Sequence, residues 1–372
     1  MKVLVVAPSL RNTSPGSRFR IEQWMRWMER DGVEFAYSGF DDEDLHAVIY
    51  QPGHYFAKAY HMLRAVGRRL ALVPHLRQYD AVFLYEEASR IGPAIIERII
   101  RWLRVPLVYD FCDPIYIAGR SPTNSFFSYL KCAGKTATIC RVASHVIVGN
   151  PDLAEFAGQY NTRVDVVPIT IDTEDYKPRR WDVAPAQQPV IGWSGSHTTM
   201  PHLDLLRNVL QTLRRTHNFR LHVMGAPRYE LPGVEVRAEP WRADAELAFL
   251  QSCDIGIMPL PGDNWTRLRS HLKARQYMGA AVPCVASPVG VIRELIQDGV
   301  NGFLAATEDE WVQKLSALLG DVNLRRHLGV AGRETIETRY SGEMWARRVL
   351  AILQSVVPQR SAARAQAVGR EA

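Results

Sequence analysis

The sequence predicts an α/β protein built as two doubly wound, Rossmann-like domains. Three observations carry this. Short apolar runs alternate with amphipathic stretches through the first half of the chain, a proline-rich interruption follows, and the same alternation then starts again. Alternating strands and helices imply parallel sheets covered on both faces. The 372 residues suffice for two domains of ordinary size, each with its own core.

The first series opens with KVLVVAP from Lys2, a continuous Val-rich run of the kind a doubly buried strand shows. Ala81 to Glu87 is a strand, Gly92 to Leu103 a helix and Pro106 to Asp113 the next strand. His145 to Asn150 is another, followed by the helix PDLAEFAGQY with Pro151 in its first turn. VDVVPI closes the series. Asp172 to Pro189 carries three prolines and little periodicity, and reads as a linker.

The second series begins with the strand VIGWSG at Val190 and the helix HLDLLRNVLQTLRRT. RLHVMGA and CDIGIMPL are strands, HLKARQYMGA a helix, PCVASP a strand, and VIRELIQDG and EDEWVQKLSALL helices. Such folds bind ligands at the carboxyl ends of their strands, so two of them facing each other would form a cleft. The expected boundaries are 1–175 for the first domain and 186–340 for the second. A helix over 341–358 follows, and then a loose Ala/Arg-rich tail over 359–372.

Composition is that of a soluble globular protein, 47% hydrophobic and 23% charged. The five cysteines are odd in number and none forms a Cys-x-x-Cys pair, which argues against a disulfide framework or a zinc site. The eleven histidines form no metal pattern, so no metal is expected. The first apolar run is too short for a signal-peptide core, and no stretch reaches the roughly 18 apolar residues of a membrane span. A reducing, cytoplasmic location is therefore expected. The net charge of +6 and pI near 9.1 suggest an anionic partner. Nucleic acid is disfavoured, because the basic residues belong to no recognised module.

The turn GWSGSH has the make-up of an anion site. Gly192 and Gly195 permit close backbone approach, Ser196 offers a hydroxyl, His197 could reach a phosphate, and the following helix would aim free N–H groups at the turn. A plain tight strand-to-helix turn reads equally well. The G-x-G-x-x-G fingerprint is absent, which disfavours NAD.

A second constellation is NWTRLRSHLKARQYMGAAVP, Asn264 to Pro283. Arg269 and Lys273 are four apart, so a helix would put both cations on one face, suited to a diphosphate. A solvated basic face is the bland alternative, but the run directly follows a strand end. In the first half, TSPGSRFRIEQW is a glycine-containing loop that opens a helix, with Gly16, Ser17, Arg18 and Arg20 as candidates. Asp110 and Asp113 end one strand and Asn150 another. Each could orient an acceptor hydroxyl, or merely cap the next segment.

Taken together, IGWSGSHTT, RLHVMG, CDIGIMPL and LKARQYMGAAVPCVASPVGVIRELIQDGVNGFL resemble the C-terminal domain of the family-4 glycosyltransferases of the GT-B fold. SPGSRFRIEQW, VYDFCD and HVIVGNPDLAEFA fall in the order expected of the N-terminal domain, and the likeness spans about residues 1–358. The resemblance implies a retaining transferase that moves a sugar from a UDP- or GDP-sugar to a glycan or lipid-linked acceptor, with no tightly bound cofactor. It implies donor contacts from Ser196, leaving-group stabilisation by Lys273 and Arg269, and ribose binding at Gln276, where the family usually has glutamate. The partner acidic position, eight residues earlier, is Leu268 here. Val289, Gly290 and Glu294 would face the donor sugar, and the Gly16–Arg20 loop would lie near the phosphates and acceptor. The helix over 341–358 would cross back to the first domain.

Tyr55 to Tyr79 mixes Lys58, Arg64, Arg68, Arg69 and Arg77 with aromatics and contains no acid. This basic amphipathic pattern suggests an inner-leaflet membrane contact, or a core-facing helix with a solvated basic side. A cell-surface glycan pathway is the expected setting. The competing functions are a nucleotide-sugar epimerase, whose carboxylate and histidine arrangement is not found, and a non-catalytic binding partner that kept the fold.

Overall fold

The computed structural model describes residues 1–49, 51, 53–117, 132, 134–182, 188–196 and 198–358. His197, part of the linker and the 359–372 tail lie outside the described residues. The chain divides into two compact units. One comprises Met1–Ile169 with the segment from Gly342 onward, and the other Thr170–Ser341.

Unit 1 is a six-stranded, all-parallel sheet. Its strands are β1 (Lys2–Ala7), β2 (Glu34–Gly39), β3 (Ala81–Tyr85), β4 (Leu107–Phe111), β5 (His145–Val148) and β6 (Val164–Val166), in the order β2-β1-β3-β4-β5-β6. Every residue of β3 and β4 is buried, as expected for strands covered on both faces. The helices are α1 (Gln23–Arg30), α2 (Glu43–Ile49), α3 (Tyr55–Leu72), α4 (Ile95–Trp102), α5 (Lys135–Val142) and α6 (Pro151–Gly158). Leu4, Val82, Leu84, Tyr109 and Ile100 sit in the core between the sheet and its helices.

Unit 2 repeats the plan with β7 (Val190–Ser194), β8 (Arg220–Met224), β9 (Glu235–Glu239), β10 (Ile255–Met258), β11 (Cys284–Ala286) and β12 (Phe303–Leu304), ordered β12-β11-β10-β7-β8-β9. All of these pairs are parallel. Its helices are α7 (Met200–Asp204), α8 (Arg207–Arg214), α9 (Glu246–Ser252), α10 (Asn264–Arg267), α11 (Leu272–Gly279), α12 (Ile292–Leu295), α13 (Glu308–Gly320) and α14 (Val322–Arg339). The last helix of the chain, α15 (Gly342–Val356), belongs to unit 1, where it packs on α1.

Strand order reverses between β1 and β3 in unit 1 and between β7 and β10 in unit 2. Crevices at the carboxyl ends of such strands are where open parallel sheets take ligands. The loops after β1, β3, β7 and β10 therefore define where a site belongs in each unit.

The single helix expected after β7 is two. α7 ends at Asp204 and α8 starts at Arg207. The helix expected to carry both Arg269 and Lys273 is also broken. Residues 268–271 lie outside α10 and α11, because His271 turns left-handed (φ 50°, ψ 57°) at the start of α11. Arg269 thus sits in the link and Lys273 on the helix, and no common helical face joins them.

Candidate functional site

In unit 1 the loop after β1 is organised from within. The Ser17 hydroxyl donates to Glu22 Oε1 at 2.6 Å, and Glu22 Oε2 accepts the Asn12 N–H at 2.8 Å. A Cβ at Gly16 would collide with the Tyr85 hydroxyl, so this glycine makes room for a side chain of β3. Arg20 lies in a π-turn (Arg18–Glu22) and is fully buried. Its Nε donates to Asp110 Oδ2 at 2.7 Å and its Nη1 to the Val167 carbonyl at 2.7 Å. Burial works against the guanidinium charge, and Asp110 overrides it, leaving the Arg20 pKa above its ordinary value. Arg20 and Asp110 therefore engage each other rather than a solvent-facing ligand. Asn150 is likewise a cap: its Oδ1 accepts the Leu153 N–H at 2.9 Å and starts α6. Among these candidates Ser17, Arg20, Asp110 and Asn150 hold the fold, while Arg18 and Asp113 are half-buried.

Sequence reasoning missed Glu86. It follows β3 with a left-handed backbone (φ 57°), and its N–H donates to the Asp110 carbonyl at 2.7 Å. Burial, then the charges of Asp113 and Glu87, push its carboxyl up to about 7. Glu86 and Asp113 thus form an acidic pair at the ligand edge of unit 1, one member of which titrates near neutrality.

In unit 2 the turn after β7 is tight. The Gly195 N–H donates to the Met224 carbonyl at 2.9 Å, and a Cβ on Gly195 would strike the Trp193 ring. The Ser196 N–H is taken by Thr199 Oγ1 at 2.9 Å, and the exposed Ser196 hydroxyl lies 2.8 Å from Thr198 Oγ1. With α7 only five residues long, the dipole expected at this turn is correspondingly short. Ser194, at the end of β7, is buried, and its hydroxyl has no hydrogen-bond partner among the described residues.

Arg269 lies beside the α7 turn. Burial and then the Arg269 charge hold the His202 pKa below its ordinary value, which places the guanidinium near this histidine. His271 is pushed down to about 3, first by burial and then by Arg269 and Arg275. It is a neutral imidazole that bonds the Thr266 backbone through one ring nitrogen and leaves buried Nε2 with no partner among the described residues.

Lys273 and Gln276 are three apart on α11 and share a hydrogen-bonded group. Lys273 Nζ lies 3.4 Å from Glu246 Oε1, which also accepts Trp241 Nε1–H at 3.0 Å. Glu246 Oε2 accepts the Tyr176 hydroxyl at 3.0 Å, and that hydroxyl oxygen accepts Gln276 Nε2–H at 3.0 Å. Gln276 is fully buried, and its Oε1 has no hydrogen-bond partner among the described residues. Sequence reasoning singled out Lys273 and Gln276 but not Glu246, Tyr176 or Trp241. Leu268 is buried. Val289 is half-buried, and Gly290 (φ 54°) packs against the Arg267 carbonyl, so this loop touches the end of α10. Glu294 is exposed and lines a 430 Å³ surface cavity with Glu334, Thr335 and Thr338 of α14.

The basic face expected on α3 is not a free one. Lys58 and Arg69 are buried, and Arg69 Nε and Nη2 donate to the carbonyls of Ala88 and Ala7, each at 2.7 Å. Arg64 Nη2 bonds Asp44 at 2.7 Å, and both Arg64 and Arg68 pair with Asp42. Burial alone would raise the Asp42 carboxyl, but these bonds draw it down to about 2. His61 also gathers with Asp42 and Asp44, and the arginines already neutralise this group. Beside the paired Arg64 and Arg68, α3 also exposes large apolar side chains: Tyr55, Phe56, Tyr60, Leu63 and Leu70. No helix among the described residues is long and apolar enough to cross a membrane.

Two parallel six-stranded α/β units, each with a ligand edge at its strand reversal, define the GT-B architecture with two Rossmann-like domains. Residues 188–321 match the family model described as "Glycosyl transferases group 1". The chain is a glycosyltransferase on the strength of that domain. Sucrose-phosphate synthase from Thermosynechococcus elongatus is similar in fold, with a TM-score of 0.65 and 14% identity over 95% of this chain and 98% of that one. HepE of Anabaena, solved in complex with UDP and glucose, gives a TM-score of 0.62 and 18% identity over 95% of this chain and 100% of its own. The trehalose-6-phosphate synthase OtsA gives 0.63 and 13% over 96% and 99%. No curated protein sequence matches the chain.

Proposed function

We propose that this glycosyltransferase is a family-4 enzyme that moves a sugar, with retention of anomeric configuration, from a UDP- or GDP-sugar to a glycan or lipid-linked acceptor. Unit 2 takes the donor and unit 1 the acceptor, at the cytoplasmic face of a membrane, in the synthesis of a cell-surface glycan. The observation that carries the reading is on α11: an ammonium, Lys273, and a buried carbonyl acceptor with no partner among the described residues, Gln276 Oε1, stand one helical turn apart. A cation and an acceptor at that spacing suit the diphosphate and the ribose of one nucleotide.

The chemistry follows from charge. The departing nucleoside diphosphate gains negative charge in the transition state, and a preorganised cation acts most strongly there. Glu246 holds the Lys273 ammonium in place before substrate arrives. Arg269, beside the α7 turn, is the second cation of this reading. No step calls for a metal or a tightly bound cofactor.

UDP is the first ligand to test, since HepE was solved with it. Thermal denaturation of the full chain with UDP, GDP, ADP and CDP should show one nucleotide raising the melting temperature, because a ligand selective for the folded form stabilises it. The matching UDP- or GDP-sugar should be hydrolysed slowly, and Lys273→Ala should lower that rate by about 10²–10³. A chain that no nucleoside diphosphate stabilises would refute the donor site.

A further inference from the structure

The network on α11 has a direction. Glu246, 1% exposed, receives the Lys273 ammonium and the Trp241 N–H on one oxygen and the Tyr176 hydroxyl on the other. An ionised carboxylate only accepts hydrogen bonds. Tyr176 has a single hydroxyl proton, and Glu246 takes it. The phenolic oxygen can then only accept from Gln276, so the NH2 end of that amide must face Tyr176. A flipped amide would set two acceptors against each other. The assignment of Gln276 Nε2 and Oε1 thus follows from a carboxylate two hydrogen bonds away. The remaining oxygen is buried with no hydrogen-bond partner among the described residues, a state that is costly. A ligand hydroxyl that donates to Oε1 removes that cost, whereas a group unable to donate leaves it standing.

We propose that Glu246 and Tyr176 are positioning residues that fix the Gln276 amide as a one-way acceptor, so that unit 2 selects a ligand carrying a ribose hydroxyl over its deoxy counterpart. The inference rests on the donor reading above. Lys273, on the same face of α11, keeps 22% of its side chain exposed, so the network opens to solvent at its cationic end. A nucleoside diphosphate entering there meets the ammonium with its phosphates and Oε1 with its sugar. The relay also does what a glutamate would do at position 276, presenting an acceptor and no donor, while adding no negative charge beside the diphosphate.

The test is calorimetric titration of the full chain with the stabilising ribonucleoside diphosphate and its 2′-deoxy and 3′-deoxy forms. Wild type should bind the ribo form about tenfold more tightly than one deoxy form, the worth of one hydrogen bond to a buried acceptor. Tyr176→Phe removes the proton that Glu246 receives and frees the amide to turn. Its ribo-to-deoxy ratio should fall towards one while the affinity for the deoxy form holds. Glu246→Gln can donate to Tyr176 and reverse the relay, so its ratio should fall as well, together with weaker binding of both forms through Lys273. Gln276→Glu placed in the Tyr176→Phe background should restore the ratio, because a carboxylate is an acceptor in either orientation. A merely structural role would not produce that rescue. An unchanged ratio in Tyr176→Phe, or a wild-type ratio of one, would overturn the relay. A wild type that binds no nucleoside diphosphate would overturn the donor reading itself.

Discussion

The Arg20 guanidinium and the Asp110 carboxylate form an ion pair with no exposed side-chain surface, joining the π-turn before α1 to the end of β4, ninety residues later in the sequence. The Val167 carbonyl takes a third guanidinium N–H and the Trp24 ring lies 4.8 Å away, so the pair ties β4, α1 and the segment after β6 into one corner. Removing one partner of such a pair leaves an uncompensated buried charge, at about 3–5 kcal/mol. Asp110→Ala and Arg20→Met should each lose roughly that much stability in urea unfolding followed by near-UV signals. The double variant Arg20→Met with Asp110→Leu should recover a large part of the loss, which a role confined to substrate binding would not give.

Glu86 should make stability fall with pH across the neutral range. Its carboxyl is raised from 4.5 to about 7 in the folded chain. Below about pH 4.5 the folded and unfolded forms are both protonated. Between there and 7 the unfolded chain ionises while the folded chain keeps its proton, so stability is lost as pH rises through 7. At 1.36 kcal/mol for each tenfold in proton affinity, the full loss is about 3 kcal/mol. Glu86→Gln should therefore match wild type at pH 4 and exceed it in melting temperature at pH 8. Equal melting temperatures at both pH values would contradict the burial of this carboxyl.

Gly225 should tolerate no side chain. Its φ of +126° is a conformation L residues rarely adopt, and an added Cβ would collide with the Gly195 carbonyl oxygen. The glycine ends β8 directly against the turn after β7. Gly225→Ala should displace that turn, lower the melting temperature of unit 2 and weaken nucleotide binding together. Gly233→Ala, at a positive φ with nothing within 4 Å, should lower stability without affecting binding.

How far these features could be read from sequence depended on distance along the chain. β1, β3, β4 and β5 announce themselves as apolar runs because both faces are covered. β2 and β9, with sequences EFAYSG and EVRAE, are the edge strands of their sheets, half exposed, and carry no such run. The helical spacing of Arg269 and Lys273 misled because the left-handed turn at His271 leaves no local mark. Lys273 was legible as a cation on a helix, and Gln276 only through the family resemblance. Glu246 was not, since it lies 27 residues from Lys273 and 70 from Tyr176 and meets them only through the fold. Arg20 and Asp110 looked like ligand groups for the same reason: one is a charged residue in the loop after β1 and the other at the end of β4, and the pairing that removes both from solvent is a tertiary contact.

Membrane attachment, if α3 provides it, should be driven by apolar contact rather than by charge. Arg64 and Arg68 are held by Asp42 and Asp44, and Lys58 and Arg69 are buried, so few of the cations of this segment are free to meet an anionic headgroup. Phe56 is 95% exposed and Leu63 69%, and with Tyr60 and Leu70 they follow helical spacing along one side. Burying a large apolar side chain contributes about 1.5–3 kcal/mol, against about 1 kcal/mol for a basic residue near an anionic surface. In sedimentation with phosphatidylglycerol-rich vesicles, Phe56→Ser with Leu63→Ser should lower bound protein by at least about tenfold, the worth of one of the two side chains. Arg64→Gln should change it little, and raising the salt from 50 to 300 mM should release only a minor fraction, since apolar burial is not screened. A steep salt dependence with no effect of the serine pair would assign the contact to cations elsewhere on the chain.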